Sequence, residues 1–302
     1  MYVQSPKAVV MIRPHHFRSN PETAADNAFQ RLGNEDVSAA ARAEFDHVVD
    51  TLRSHGVTVH DFDDTGTDTP DSVFPNNWFS THAGGHVAVY PMYAANRRRE
   101  RRWDVIELLK TEYRVQDIID YSGLEHDDLA LEGTGAMVLD HIGRVAFVAR
   151  SHRADPVLLE RFCTNFNFEP IAFDAADDQG RPVYHTNVLM AIGTGCAMVG
   201  LDMITSEKRR AMVQERLAET GRDVIDLSAY QINEFAGNAI ELEGRDGLIM
   251  ALSARALAAL SPDQIDRIQA SAQIVTLNIP TIETAGGSVR CMIAGLHLAR
   301  RS

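Results

Sequence analysis

A repeating order of short segments constrains the fold of this chain more than any other feature. Apolar hairpin-like runs with central glycines, such as AMVLDHIGRVAFVA and AIELEGRDGLIMAL, are each followed by a segment with helical spacing and then by one more apolar strand. The closing strands begin at Val57, Val115, Glu169, Asp223 and Gln273, at intervals of 58, 54, 54 and 50 residues. A period of this size indicates supersecondary units that stack or close into a ring.

We therefore predict an α/β fold of five ββαβ units, arranged as a propeller with five-fold pseudosymmetry and forming a single domain over residues 1–302. The fifth unit joins the two ends of the sequence, because the strand KAVVMIRP needs the last apolar hairpin, near Cys291, as its partner. The alternative is an ordinary α/β sheet with accidental regularity. In a ring, loops near the central axis converge from different units on one site.

Composition narrows the class of function. The chain has 302 residues, with 29 Lys+Arg, 42 Asp+Glu and a formal net charge of −13, which argues against nucleic acid as a partner. Three cysteines are too few for a disulfide framework, and no apolar run is long enough to span a membrane. We expect a cytoplasmic protein that binds a small molecule. The sequence leaves the oligomeric state open.

No metal-ligand spacing and no glycine motif for nucleotides occurs in the sequence, so we predict neither a metal nor another cofactor.

Three residues from separate units have the chemistry of a nucleophilic enzyme. Cys291 follows two glycines in GGSVRCM and enters a predicted strand, although a buried structural thiol is the alternative. His185 lies at the mouth of a strand in VYHTNV, and Glu132 leaves an apolar run in LEGTG, where the alternative is an exposed turn residue. Together they would form a thiol–imidazole–carboxylate set. We interpret Cys163 and Cys196 as packing residues.

Other polar residues are weaker candidates. Asp71, Asn76 and Asn77 lie in PDSVFPNNWF, which standing alone would be a plain turn. The basic run from Arg97 to Arg102 is either a solvated face or contains a clamp for a substrate carboxylate. Arg153 lies at a comparable place in the next unit.

Taken together, these motifs resemble the pentein superfamily of guanidino-group-modifying enzymes, which includes arginine deiminase, dimethylarginine dimethylaminohydrolase and amidinotransferases. The resemblance implies a five-bladed α/β propeller. It also implies that Cys291 is the nucleophile, His185 the general acid and base, and Glu132 its acidic partner. Further residues are implied to contact substrate: Asp71, Asn76 and Asn77, with Arg98 and Arg153 for its carboxylate.

Two departures from the family pattern bear on the substrate. Arginine deiminase-like relatives carry Asp at the positions of Asn77 and Asn187, and their EGGD reads EGTG here. A buried cation without a countercharge is unfavourable, whereas an amide both donates to a carbonyl and accepts from N–H. The two Asn residues therefore favour a neutral ureido group, and the sequence resembles the citrulline hydrolase and arginine dihydrolase branch.

The predicted reaction is the hydrolysis of citrulline to ornithine, ammonia and carbon dioxide. An arginine dihydrolase, an arginine deiminase or a dimethylarginine dimethylaminohydrolase, each acting on a guanidino substrate, is the first alternative. An amidinotransferase fits less well, because nothing in the sequence suggests a site for an acceptor amine. A non-catalytic binding protein on the same scaffold is the alternative from another class.

Overall fold

The computed structural model describes residues 3–31, 33 and 36–301, and within them it contains fifteen strands in five separate three-stranded sheets. The strands are β1 (Ala8–Pro14), β2 (Thr58–Asp64), β3 (Phe79–His82), β4 (His86–Val89), β5 (Asp117–Asp120), β6 (Val138–Asp140), β7 (Val145–Ala149), β8 (Glu169–Phe173), β9 (Met190–Ile192), β10 (Cys196–Val199), β11 (Asp223–Asp226), β12 (Ile240–Glu243), β13 (Leu248–Ser253), β14 (Gln273–Leu277) and β15 (Ala294–Gly295).

All five sheets repeat one pairing scheme. The first strand pairs antiparallel with the second, and the second pairs parallel with the third, as in β6–β7–β8 and β12–β13–β14. The fifth sheet joins distant parts of the chain, because β15 pairs antiparallel with β1, which pairs parallel with β2. The predicted α/β fold of five ββαβ units, with its fifth unit shared between the two ends of the sequence, is confirmed. The single domain over residues 1–302 stays a prediction.

In residues 3–31, 33 and 36–301, six helices connect the parallel strands of the sheets, and three short ones lie between one sheet and the next. They are α1 (Ser38–Ser54), α2 (Trp103–Glu112), α3 (Gly133–Ala136), α4 (Pro156–Phe166), α5 (Glu207–Ala218), α6 (Ala229–Asn233), α7 (Ala254–Ala259), α8 (Pro262–Gln269) and α9 (Val289–Met292), of which α3, α6 and α9 are the three between sheets. Ser206 and Ser261 cap the N-termini of α5 and α8 with their side-chain oxygens. The unit that contains β12, β13 and β14 has two helices instead of the predicted one, because Ser253 caps an additional helix directly after β13.

The units bury their apolar faces between sheet and helix. Phe45, Val48 and Leu52 of α1 are fully buried in one such layer. Cys163 on α4 and Cys196 on β10 lie in two other hydrophobic cores. Their burial agrees with their interpretation as packing residues. Burial raises the pKa of the Cys163 thiol to about 12, so this thiol is protonated and unreactive at neutral pH.

The first strand of each sheet lies on the inside of the ring. β6 contacts β9, β9 contacts β12, and β15 contacts β3. A short turn precedes most of these inner strands: a single 3-10 turn at Pro75–Asn77, helix α3, a second 3-10 turn at Thr186–Val188, and helix α9. These turns bring candidate residues from the sequence analysis, such as Asn77, Asn187 and Cys291, close to the axis. None of the helices in the described part of the chain has the length and apolar character needed to cross a bilayer.

Candidate active site

Five residues occupy equivalent places in the five units, two or three positions before the inner strand. We call these five residues the ring positions: Asn77, Gly135, Asn187, Asn238 and Cys291. Each is followed by two apolar residues that lead into the strand, for example Val-Leu after Asn187 and Ala-Ile after Asn238. The pseudosymmetry of the propeller therefore places one residue from every unit around the same point.

Amide groups surround the thiol of Cys291. The Nδ2 atom of Asn187 donates to Cys291 Sγ over 3.2 Å, and the Nδ2 atom of Asn238 donates to the same sulfur over 3.3 Å. Asn238 also donates to the backbone oxygen of Asn187 and accepts from the backbone N–H of Arg290. A sulfur that receives two N–H donors is stabilised as a thiolate more than as a thiol.

The absence of a side chain at position 135 is a steric requirement. A Cβ atom there would lie 2.1 Å from the side-chain amide of Asn77 and 2.9 Å from the ring of His185. The ring positions therefore carry three amides, one glycine and one thiol, and none of the five is charged.

His185 and Glu132 form a buried pair beside this ring. Glu132 Oε2 lies 2.7 Å from His185 Nε2, and the two side chains are 0% and 2% exposed. Because an ionised carboxylate only accepts, this geometry assigns the proton to Nε2 and leaves Nδ1 unprotonated. Burial lowers the pKa of His185 to about 4, although Glu132 acts in the opposite direction, so the imidazole is neutral at pH 7.

Glu132 remains ionised although it is fully buried. Burial alone would raise its pKa, but Arg153, the hydrogen bond with His185 and Arg97 together hold it well below its usual value. Its Oε1 atom also accepts from the backbone N–H of Tyr93 over 3.0 Å. The carboxylate is thus fixed in position and charge, and it holds the imidazole in one orientation.

The structure corrects the arginine chosen from the basic run. Arg97 lines the pocket, and its guanidinium pairs with Glu100 through two hydrogen bonds of 2.9 Å. Arg98 lies outside the pocket, where its side chain is 35% exposed, donates to the Met92 carbonyl and faces Glu125 at 3.7 Å. The two arginines are neighbours in one tight 3-10 turn, so their side chains leave it in different directions.

Arg97 also reaches the ring. The hydrogen-bond partners of Asn77 orient its amide with the oxygen facing Arg97. Both terminal nitrogens of Arg97 then donate to that oxygen, at 3.0 and 3.1 Å. Arg153 lines the same pocket, and its Nε donates to Asp26 Oδ2 over 2.8 Å. Asp26 was not predicted from the sequence.

Three buried polar atoms near the thiol have no hydrogen-bond partner: Asp71 Oδ1, Asn76 Nδ2 and Asn187 Oδ1. Asp71 lines the pocket, and its other oxygen accepts from Asn20 over 2.7 Å. Burial raises the pKa of Asp71, against the opposing effect of Arg97. Asn76 is buried beside the pocket without lining it. Unpaired buried polar atoms are costly, so their concentration here is typical of a site that receives a polar ligand.

The pocket is small and polar. Its free space is about 10 Å³, and Cys291, His185 and Asn77 line it together with Thr23 and Asn27 from the segment after β1. Within the described residues, no group of three or more His, Cys, Asp and Glu side chains is arranged to hold a metal ion.

Sequence reasoning placed Cys291, His185, Glu132, Asn77 and Asn187 at one site, and the structure brings these residues together. It named Arg97 only as a member of the basic run, and it missed Asp26 and Asn238. Asn238 had a usable signal, because aligning YHTNVLM with FAGNAIE by the repeat places its amide level with Asn187.

Comparison with known proteins identifies the family. The sequence model of a family described as N,N dimethylarginine dimethylhydrolase, eukaryotic, matches residues 13–298. The chain belongs to this family. The family consists of hydrolases that act on guanidino carbon–nitrogen bonds. No curated protein sequence matches the chain.

Solved structures share the fold at low sequence identity. The N-terminal domain of ArgZ, an arginine dihydrolase from the ornithine–ammonia cycle in cyanobacteria, is 16% identical over 96% of this chain and 99% of that domain, with a TM-score of 0.74. DDAH from Pseudomonas aeruginosa, solved with citrulline, is 13% identical over 96% of this chain and 99% of its own, with a TM-score of 0.65.

AgrE, solved with L-arginine, is 16% identical over 95% of this chain, with a TM-score of 0.76. This chain spans 40% of the length of AgrE and of full-length ArgZ. The likeness confirms the pentein fold that the sequence motifs suggested.

Proposed function

We propose that the protein hydrolyses the ureido group of citrulline to ornithine, ammonia and carbon dioxide. The uncharged ring around the Cys291 thiol carries this proposal. Asn187 directs its Nδ2 at the sulfur and leaves its buried Oδ1 without a partner, so it offers an acceptor to a ureido N–H. A neutral ureido group needs no countercharge at the ring, whereas a guanidinium cation there would be desolvated without one.

The first chemical step forms a bond from sulfur to the ureido carbon. Neutral His185 takes the thiol proton of Cys291 and then gives it to the nitrogen of the departing ornithine, whose bond to the carbon breaks. Glu132 stabilises the imidazolium that exists between these two transfers. Amide N–H groups of the ring stabilise the tetrahedral oxygen, and one such donor contributes on the order of 3 kcal/mol.

The second step consumes water. The intermediate is a carbamoyl thioester on Cys291, and His185 removes a proton from the attacking water molecule. The carbon–sulfur bond then breaks, the thiol is restored, and the released carbamate decomposes to ammonia and carbon dioxide. One imidazole serves both steps because it returns to its neutral form after each.

An arginine dihydrolase is the second candidate, and Asp71 favours it. The carboxylate of Asp71 lines the pocket with one oxygen unpaired, and that oxygen would suit either a guanidinium or the α-ammonium group of an amino acid. On this alternative, citrulline would be a bound intermediate between arginine and ornithine. Replacing Asn77 with Asp would then shift the products towards free citrulline, whereas unchanged products would weaken the role given to the amides.

The deciding experiment measures products from three substrates. Purified protein is incubated separately with citrulline, arginine and dimethylarginine, and ornithine and citrulline are quantified over time. Ornithine from citrulline supports the proposal, and citrulline accumulating from arginine contradicts it. A protein without turnover whose Cys291 alkylates no faster than Cys163 would be a binding protein. The same experiment tests the small-molecule partner, whereas the cytoplasmic location stays a prediction.

A further inference from the structure

A second cavity lies on the axis of the propeller and shares no lining residue with the pocket of Cys291. All five inner strands line it, and its free space is about 50 Å³. We call it the axial cavity. A single water molecule needs roughly 10–15 Å³ of such space, so the axial cavity holds a few waters or one small ion.

An unpaired guanidinium faces this cavity. Arg290 donates from Nη1 to the Ile293 carbonyl over 2.8 Å, and among the described residues it has no carboxylate within ion-pair distance. Burial lowers the pKa of Arg290 to about 10, which leaves it charged at neutral pH. The side chain of Arg290 is half-buried, so its charge is only partly solvated, and its remaining N–H groups can donate to an acceptor in the cavity.

Two histidines add neutral donors to the same wall. The rings of His141 and His297 stack with centroids 3.8 Å apart, and both line the axial cavity. Burial and the charge of Arg290 lower the pKa of His297 to about 4, and that of His141 is also well below its usual value. Each ring is therefore neutral at pH 7 and still carries one N–H.

The single acid of the cavity does not neutralise this cluster. Glu241 lines the cavity, but its Oε1 already accepts from Ser5 Oγ and from the backbone and side chain of Thr194. Its free Oε2 lies beside Gly193 rather than beside Arg290. Three donors thus satisfy Oε1 of Glu241, while its Oε2 has no partner and makes no ion pair with Arg290.

We propose that the axial cavity is a binding site for one small monovalent anion of the size of chloride, bromide or formate. The anion lies against the guanidinium of Arg290 and accepts from the imidazole N–H groups of His141 and His297. The axial cavity shares no lining residue with the pocket of Cys291, so the anion does not occupy the substrate pocket, although Arg290 lies close enough to Cys291 to interact with its charge.

Anomalous diffraction tests the site in the unaltered protein. Crystals are soaked in sodium bromide, and the anomalous map is examined at the axial cavity. We expect a bromide peak within hydrogen-bond distance of the Arg290 guanidinium. Peaks confined to the protein surface would overturn the proposal.

Thermal unfolding tests the site in solution. Bromide replaces gluconate at constant ionic strength, because gluconate is too large for the cavity. The unfolding midpoint of the wild type should rise by a few degrees with tens of millimolar bromide, and that of Arg290→Gln should not. Arg267→Gln, which removes a surface arginine paired with Asp223, is the matched control and should respond as the wild type does. An equal response of Arg290→Gln and wild type contradicts the site.

Discussion

Asn238 connects three groups with one amide. Its Nδ2 donates to Cys291 Sγ and to the Asn187 carbonyl, while its Oδ1 accepts from the Arg290 backbone N–H over 3.0 Å. The residue thus fixes the helical turn that carries the thiol and supplies one of the two donors to the sulfur. A hydrogen bond to a charged sulfur is stronger than one to a neutral thiol. Asn238 should therefore favour the reactive form of Cys291.

Replacing Asn238 with Ala should slow alkylation of Cys291 by iodoacetamide about tenfold at pH 7, because the variant loses one charge-assisted hydrogen bond to the sulfur. Asn165→Ala is the control, because Asn165 also donates from a side-chain amide, to the Tyr121 hydroxyl, outside the pocket. If Cys291 of the Asn238→Ala variant is alkylated at the wild-type rate, Asn238 acts on packing alone.

Cys291→Ala should lose turnover by on the order of 10³-fold or more, because no other nucleophile of the pocket replaces the thiolate. Binding of the substrate should remain, since the arginines and amides are untouched. Steady-state kinetics and calorimetry with citrulline measure the two effects. Substantial turnover by this variant would exclude Cys291 as the nucleophile.

At the scale of elements, short turns rather than long helices build the pocket. The loop between α6 and β12 approaches the turn before β9 so closely that a Cβ atom at Gly237 would lie 2.5 Å from the Val188 carbonyl. The same loop holds Phe235 at a φ of 62°, an uncommon conformation for a bulky residue. The close approach brings the Asn238 amide within reach of the thiol.

Gly237→Ala should destabilise the protein by about 1–3 kcal/mol and reduce turnover, because rigid backbone must move to admit the methyl group. Gly123→Ala is the control, since nothing lies within 4 Å of a Cβ atom there and its φ is unremarkable for other residues. Urea unfolding and citrulline turnover are measured on both variants. Equal stability of the two variants would mean that the loop relaxes without cost.

The periodic elements were predictable, whereas the pocket turns were only partly so. Strands and amphipathic helices repeat along the sequence, and their starting signals, such as Ser206 and Ser261, act locally. The four-residue helices α3 and α9 are too short to have a hydrophobic period, so Cys291 was expected at the start of a strand. Arg97 and Arg98 are adjacent in a run of like residues, and only the geometry of the turn separates their directions.

At the scale of the whole molecule, several histidines are buried as neutral rings. His82, His141 and His297 lie together near the axis, and His185 lies in the pocket. Burial lowers the pKa of all four, to about 4 for His185 and His297, from an unfolded value of 6.5. At these four histidines the unfolded chain therefore binds more protons than the folded protein between these values, and they outnumber Glu100, whose pKa burial raises to about 7 and which acts in the opposite direction.

The free energy of unfolding should consequently fall as the pH drops from 6.5 towards 4. Each such histidine contributes up to about 1.4 kcal/mol for every pH unit in this window. Urea unfolding at pH 7.5, 5.5 and 4.5 measures the slope. His297→Gln should flatten it, whereas His47→Gln, at an exposed position on α1, should leave it unchanged. A stability independent of pH over this window would contradict the neutral burial of these rings.

The pairing of β15 with β1 also sets when the protein becomes chemically competent. The segment that carries Cys291 completes a sheet whose other two strands are made first, and this pairing together with the contacts of Asn238 holds the thiol beside the amides of the ring. During synthesis the nucleophile is therefore the last part of the site to arrive. A chain translated only as far as β14 contains His185 and Glu132 but not the thiol, so reactivity requires the last segment of the fold.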